Sequence, residues 1–476
     1  MYNLGERTVR AHILAMVLAL SIFAPMVLVP VRSAPSHING HTQMGTVFVD
    51  ILDVNVSHNA TYLGATISVH VTVEITWDVF DFSSGYVDTL YDGNLIERKI
   101  FYVIWQGHTI DYLVFDWNTS GVEMGSHSIS AVAVGTNIDI CTDGTVQILP
   151  VGNLNTKGGY QTIQEAINDA NDGDTIFVRN GTYYENVVLN KTVSLIGESR
   201  TTTIIDGNGT GNVMSLNAYA YDAKIAGFTI CNGDYGIVLW SSHNNTISDN
   251  IIVNNGWLGI WANYCENNVL SRNIITNNQG GVCVFYPGNN TLNNNYIANN
   301  SDFGIYLHAS HNNKIIANDV AANGKGIYIE GMYIGYSSGD NHLCHNNIVN
   351  NTNQFLISSS PNNTWDNGCE GNYCSDYNGT DSNGDGIGDT QYAIDANNTD
   401  KYPLMNMYWN PSDINHDLKI DIKDVARAAM AYGTQPIDPL WNPHADITGP
   451  EYLVPDNKVD IRDVSLIARH FGETEG

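Results

Sequence analysis

The centre of the chain repeats one phrase, a Gly followed by Ile or Val and then alternating apolar residues, beginning at Gly236, Gly259, Gly281, Gly304 and Gly326. The intervals are 23, 22, 23 and 22 residues. A fixed period of this length, holding two or three short strands per copy, predicts a solenoid of stacked turns, a parallel β-helix. Successive strand side chains point to opposite faces. Ile237/Leu239, Ile260/Ala262, Val282/Val284, Ile305/Leu307 and Ile327/Ile329 are therefore expected to line the core. Each large one is worth about 1.5–3 kcal/mol. The outward positions form two columns with neighbours ~4.8 Å apart. One reads Val238, Trp261, Cys283, Tyr306, Tyr328, and the other Trp240, Asn263, Phe285, His308, Glu330.

Asn punctuates every copy. Asn244-Asn245, Asn267-Asn268, Asn289-Asn290 and Asn312-Asn313 fall at one corner, and Asn250, Asn273, Asn295, Asn318 and Asn347 at another. Asn tolerates left-handed backbone angles, and its amide bonds an equivalent amide one turn away, so a column of Asn both turns the chain and satisfies itself.

Upstream, residues 45–149 alternate with period two: Ile67, Val69, Val71, Val73 and Ile75 oppose Ser68, His70, Thr72, Glu74 and Thr76. Several such strands between Gly, Asn and Asp turns predict an antiparallel sandwich. From Tyr160 the period becomes helical, with Ile163, Ala166, Ile167 and Ala170 on one face up to Asp172-Gly173. An amphipathic helix there plugs the open apolar end of the solenoid. Before all of this, Arg7 and Arg10 precede an apolar run from Ala11 to Val31 and then Ser33-Ala34. Residues 1–34 are expected to be an export signal or a retained membrane anchor.

Charge adds a constraint. The net charge is −29 with only 14% charged residues, so the polar surface is largely uncharged and offers nucleic acid no basic patch. Much of the acidity lies in Asp-rich loops near the C-terminus, the pattern of cation binding. The seven Cys leave at least one unpaired or bonded to another chain. Cys369 and Cys374 are close enough in sequence to bridge, and most of the others are expected as buried thiols. Asn-x-Ser/Thr sequons at Asn55, Asn118, Asn180, Asn244, Asn289 and Asn378, among others, are compatible with a glycosylated surface protein, although many arise by chance in so Asn-rich a chain.

Three resemblances follow from these segments. DVNVSHNATYLGATISVHVTVE and FDWNTSGVEMGSHSISAVAV resemble the cell-adhesion-related bacterial (CARDB) domain, an immunoglobulin-like module, which implies a spacer or adhesion role. Cys141-Thr142-Asp143-Gly144 departs from that family's closing phrase and leaves the register of the last strand open. GDTIFVRNGTYYENVVLNKTVSLIGES resembles the opening of pectate lyases and pectin methylesterases. The repeats with the closing phrase NYCSDYNGTDSNGDGIGDTQYAIDANNTDKYPLM look like the β-helix domain of the NosD type, over residues 154–405. That repeat implies a fold and not an activity, since it serves lyases, hydrolases, epimerases, copper accessory proteins and plain surface proteins.

DINHDLKIDIKDVARAAMAYG and DNKVDIRDVSLIARHFG resemble a type I dockerin, a calcium-folded tether that docks into a cohesin on another protein, over residues 412–476. The resemblance implies calcium ligands at Asp413, Asn415, Asp417, Asp421 and Asp424, and again at Asp446, Thr448, Asp456, Asp460 and Asp463. Short carboxylates at alternate positions suit a hard cation that takes six to eight oxygens. Six or so extra residues near Gly449–Val454 lengthen the second loop. The cohesin-facing pairs are expected to be Ile422-Lys423 and Ile461-Arg462, apolar-basic rather than the small hydroxyl pairs common in the family. The expected fold class is mainly β, a right-handed parallel β-helix preceded by an Ig-like sandwich and followed by a small α-helical calcium-loop domain.

Candidate chemistry sits on the repeats. Trp240, Trp261, Phe285, Tyr306 and Tyr328 expose aromatic faces suited to sugar rings; they form either a polysaccharide-binding strip or an interface under a loop or the sandwich. His308 and Glu330 are adjacent in one column, an acid/base pair for a lyase or hydrolase or else a surface ion pair. Between Gly236 and Tyr377 the only Lys or Arg are Arg272, Lys314 and Lys325, none in the columns, so a uronate-stabilising lyase site is not visible. The insertion GMYIGYSSGD, with Tyr333 and Tyr336, is a candidate ligand loop. His311, Asp340, His342, Cys344 and His345 are the residues a copper-accessory role would use. Asp381, Asn383, Asp385 and Asp389 are expected to hold calcium where the solenoid closes. The expected protein is an exported one that binds extracellular polysaccharide, with or without processing it, while tethered to a cohesin; the alternatives are a copper accessory protein and a non-catalytic surface protein.

Overall fold

The computed structural model describes residues 46–78, 83–103, 107–218, 220–331, 338–360, 362–408, 422–434 and 458–469. The expected signal or anchor at 1–34 and the Tyr333/Tyr336 insertion lie outside these residues.

The sandwich packs two sheets. Thr46–Val56, Thr66–Asp78 and Gly107–Asn118 form an antiparallel three-stranded sheet. The five-stranded sheet runs in the order Ala60–Tyr62, Ile138–Leu149, Gly125–Val134, Ser83–Tyr91, Asn94–Val103. The alternation holds: Ile67, Val69, Val71, Val73 and Ile75 are all buried against the second sheet. The register left open by Cys141–Gly144 resolves as a bulge, since Ile129 pairs Gly144 while Ser130 pairs Thr142, with Asp143 the additional residue.

Strand Val151–Asn153 opens the solenoid. It pairs antiparallel with Gly159–Tyr160 and with Thr175–Val178, so Tyr160 ends a strand rather than beginning the helix. Helix α1 (Ile163–Asp169) starts in a capping box between Thr162 and Glu165. Its Ile163, Ala166 and Ile167 are buried on the first turn of the core, as the plug requires. Among the described residues the chain winds through three sheets of ten, nine and eight strands, the first counting Val151–Asn153 and Gly159–Tyr160 ahead of the helix. Beyond the helix the strands of all three pair in parallel, each with its counterpart one turn on. All ten residues predicted to line the core are at most 3% exposed. The repeated Gly has a steric cause. A Cβ on Gly259 would lie 2.6 Å from Ile275 Cγ2 and 2.9 Å from the Gly281 carbonyl oxygen. The same carbonyl contact recurs up the column.

Two residues share the work at each corner. The first takes the left-handed angle, as Asn244 (φ +59°), Asn267 (+58°) and Asn289 (+58°) do. The second is buried and joins a ladder. Asn295 is representative: its Oδ1 accepts the Asn273 N–H (3.0 Å) and Asn273 Nδ2 (3.1 Å), while its Nδ2 donates to Leu270 O (2.8 Å) and Asn318 Oδ1 (2.9 Å). That ladder continues through Asn346, not Asn347; Asn347 sits on the strand and bonds Asp319 and Tyr408 instead. A third ladder, Asn255, Asn278, Asn300, Asn323 and Asn351, occupies the remaining corner and was not singled out by the sequence reading. Cys369 and Cys374 do not bridge; the first is exposed and the second buried.

The division of labour yields a stability prediction. Asn295→Ala removes four buried hydrogen bonds and is expected to cost about 3 kcal/mol in urea unfolding, whereas Asn294→Ala next to it, on the turn, costs about 1 kcal/mol. Ala322 holds a strained left-handed angle (φ +54°) where other turns have Asn. Ala322→Asn is expected to raise stability by about 0.5–1 kcal/mol in the same assay.

Candidate functional site

The outward columns stand where the alternation puts them, on the third sheet. Parallel register aligns Val238, Trp261, Cys283, Tyr306 and Tyr328 in one row and Trp240, Asn263, Phe285, His308 and Glu330 in the next. Their rings touch in sequence along the solenoid. Trp240 meets Trp261 edge-on at 5.8 Å, Phe285 stacks on His308 at 4.6 Å and 6°, and Tyr306 stacks on Tyr328 at 4.4 Å and 5°. Cys283, although on the outer face, is buried in this row, and burial pushes its thiol up to about 12.

Four further aromatics extend the strip, and the sequence reading missed them. Tyr264 and Tyr286 follow the second column at positive φ (+55° and +43°) and stack at 5.7 Å, which joins Trp240 to Phe285. Tyr235 stacks on both Trp257 (6.2 Å) and Trp261 (5.4 Å) at the other edge. Their signal was the repeat itself, since 235 to 257 and 264 to 286 are both 22-residue steps. Trp240 (47%), Trp257 (56%) and Tyr264 (50%) are about half exposed, so no described loop and no part of the sandwich covers this end.

At the far end the strip closes on a carboxylate. Tyr306 OH donates to Glu330 Oε2 (2.5 Å), and His308 Nδ1 lies 3.2 Å from that oxygen and 2.6 Å from the Tyr306 hydroxyl. The Tyr306 hydroxyl, with Tyr328 and His308, holds the Glu330 carboxyl below its ordinary range; burial works against them and loses. Burial and the adjacent carboxylate raise the Tyr306 phenol. A general acid must carry its proton at the working pH. Glu330 is instead held ionised, as an acceptor that orients two phenols and an imidazole. Lys325, on the same strand as Glu330, is engaged as well, with Asp302 (2.5 Å).

The expected metal positions fare differently. Among the described residues no three His, Cys, Asp or Glu side chains converge on a point. In the closing loop each carboxylate serves the backbone. Asp381 accepts the N–H groups of Gly384 (2.7 Å) and Gly386 (2.9 Å), Asp385 that of Ile387 (2.9 Å), and Asp389 that of Ser382 (2.9 Å), while Asn383 donates to Asp385 (2.8 Å). These bonds fold the segment into successive turns. The copper set is also dispersed: His342 faces Cys344 (3.4 Å), His345 pairs Glu370 (2.9 Å) and stacks on Tyr408, and His311 contacts Asn312.

In the C-terminal segment, Asp413, Asn415, Asp417, Asp421, Asp446, Thr448 and Asp456 lie outside the described residues. Helices α2 (Ile422–Ala431) and α3 (Ile461–Arg469) pack through Ala428, Ala431, Val459 and Ile467. Asp424 and Asp463, in corresponding first turns, are both completely buried. Asp463 accepts the Asp460 N–H (2.7 Å). Ile422 and Ile461 are exposed at the corresponding place on each helix, and Arg462 is held by Asp460 (2.6 Å), whose carboxyl it lowers to about 2.

Fold and face together define a parallel β-helix protein with an aromatic outer strip. Residues 167–379 match the model of the family described as periplasmic copper-binding protein (NosD), in line with the resemblance of the repeats. A cell surface glycoprotein of Methanothermus fervidus is 34% identical over 125 residues, 25% of this chain and 21% of that protein, so the chain spans about a fifth of the curated relative it matches. Two solved structures overlap parts of the fold. An alginate lyase from Paenibacillus (TM-score 0.30, 11% identity) covers 42% of this chain and 92% of its own. The CARDB domain of a Pyrococcus furiosus protein, in complex with di-metal ions (TM-score 0.16, 14% identity), covers 23% and 97%.

The depressed Glu330 carboxyl gives a signed pH dependence. Its stabilising contribution is present above the unfolded value of 4.5 and is lost as pH falls through the lower folded value. Glu330→Gln is therefore expected to flatten the acid limb of the thermal-stability profile below about pH 4.5 and to lower the plateau above it, read by calorimetry across pH 3–7.

Proposed function

We propose that this is an exported surface protein whose third solenoid sheet binds extracellular polysaccharide. The observation that carries the reading is the unbroken ring-to-ring contact from Trp257 to Tyr328, half exposed at one end and closed by an ionised carboxylate at the other. Sugar rings present apolar C–H faces, which aromatic faces accommodate, and an exposed apolar strip of this extent means contact with something. The pairing of Lys325 with Asp302 at this face favours a neutral polymer over a polyuronate. Similarity to a cell surface glycoprotein and to a periplasmic family supports the location. The held, ionised state of Glu330 supports binding more than turnover, with His308 and Glu330 orienting the strip.

A second part of the proposal concerns anchoring. The paired helices, with Asp424 and Asp463 buried at equivalent positions, support a calcium-bound tether whose Ile422-Lys423 and Ile461-Arg462 surfaces meet a cohesin-type partner. Two sequestered carboxylates at the ends of acidic loops fit the last ligand of a calcium loop.

Affinity electrophoresis through gels containing neutral or acidic polysaccharides tests the binding face. Retardation is expected in a neutral polymer, and Trp240→Ala or Trp257→Ala is expected to weaken it about tenfold or more, from about 1.5–3 kcal/mol of lost ring burial. Equal mobility in every gel would remove the reading. For the tether, chelator is expected to unfold α2 and α3 without affecting the solenoid, and calcium to restore them, as followed by helical circular dichroism; Asp463→Ala is expected to abolish the restoration of its half.

A further inference from the structure

The corners of the solenoid do more than turn the chain. At five of them the turning Asn, the ladder Asn and the Ser or Thr that follows spell a sequon: Asn244, Asn289 and Asn362 on the way into the first sheet, and Asn299 and Asn350 on the way into the third. In each, the acceptor is the turning residue, with φ between +52° and +71°, and it is exposed. Its neighbour, the middle residue of the sequon, is the ladder Asn, at most 9% exposed and fully bonded. None of the five acceptor side chains hydrogen-bonds any described residue, so each amide nitrogen is directed to solvent without a competing partner.

Spacing strengthens the case. Neighbouring rungs stand ~4.8 Å apart, too close for two glycans side by side. On both corners no two sequons occupy adjacent rungs. Between Asn244 and Asn289 the intervening Asn267-Asn268 is followed by Val269, and between Asn299 and Asn350 the turning residue is Ala322. This leaves about 10 Å or more between acceptors. The corner joining the first and second sheets carries one sequon, Asn180-Gly181-Thr182 on the first turn, but its middle residue is Gly and its Asn Oδ1 accepts from Thr202 (2.6 Å). The two corners with the Asn-Asn-Ser/Thr form both flank the third sheet.

We infer that these five turning asparagines are N-glycosylation sites, so that covalently attached oligosaccharides line the two edges of the aromatic sheet. The co-substrate is an oligosaccharide activated as a phosphate or pyrophosphate ester. The Asn Nδ2 forms a bond to the anomeric carbon, the anomeric C–O bond to phosphate breaks, the phosphate leaves with the electron pair, and one amide proton passes to base.

The test is mass spectrometry of proteolytic peptides from the full chain, secreted from a host that transfers N-linked oligosaccharide. Expected are mass increments of whole sugar residues at the five acceptors and none at the ladder residues Asn245, Asn290 and Asn300. Thr291→Ala should remove the increment at Asn289 and Thr291→Ser should retain it, at unchanged thermal stability. Bare asparagines at all five corners, while sequons on the same host's own secreted proteins or on the sandwich at Asn55 are occupied, would overturn the assignment. This outcome is independent of whether the aromatic strip binds a free polymer.

Discussion

Everything in the solenoid depends on satisfying backbone groups at corners that are buried. A sharp turn removes N–H and C=O groups from the sheets, and leaving them unpaired in a dry interior costs about 1–3 kcal/mol each. Side-chain amides solve this because each has donors and an acceptor and repeats at the rung spacing. Asn295 takes a backbone N–H and a neighbour's amide, and gives its own to a carbonyl and the next amide. The donors run toward the C-terminus, where Asn372 donates to the buried Asp400 and Asn398 to Asp395. The closing segment thus supplies acceptors where the column of amides would otherwise end in unmatched donors.

With the corners settled, the sheets are free to vary outward. The inner residues interlock and the Gly column admits no Cβ, but the outer residues of the third sheet face no packing demand from the core. Aromatics accumulate there in register, and the register makes a continuous surface from residues about 22 positions apart. The Glu330 cluster shows the consequence for chemistry. A carboxylate and an imidazole that look like an acid/base pair in sequence are joined by a phenol, and the carboxylate is held ionised.

Much of the fold was legible because its period is rigid. Gly236 to Gly326 fixed the turns, the alternation in Ile237/Leu239 and its copies fixed the core, and Ile163, Ala166 and Ile167 marked the plug. The site was half legible. The two columns follow from period two, but Tyr264 and Tyr286 depend on left-handed angles just after the strand, which redirect a ring that simple alternation would place elsewhere. At the Asn295 corner the turning residue varies, from Asp249 and Arg272 to Asn294, Ala317 and His345, and the ladder Asn directly follows it; in the pair Asn346-Asn347 the ladder residue is therefore Asn346.

The sequence alone determined the repeat, the inward and outward residues and the chemical character of the strip, because these depend on local periodicity. Only the tertiary structure decided which Asn turns and which bonds, which backbone groups Asp381, Asp385 and Asp389 accept, and which rings touch. Those outcomes depend on distances between residues on different rungs, and a carboxylate or amide is committed by whichever partner the fold brings within 3 Å.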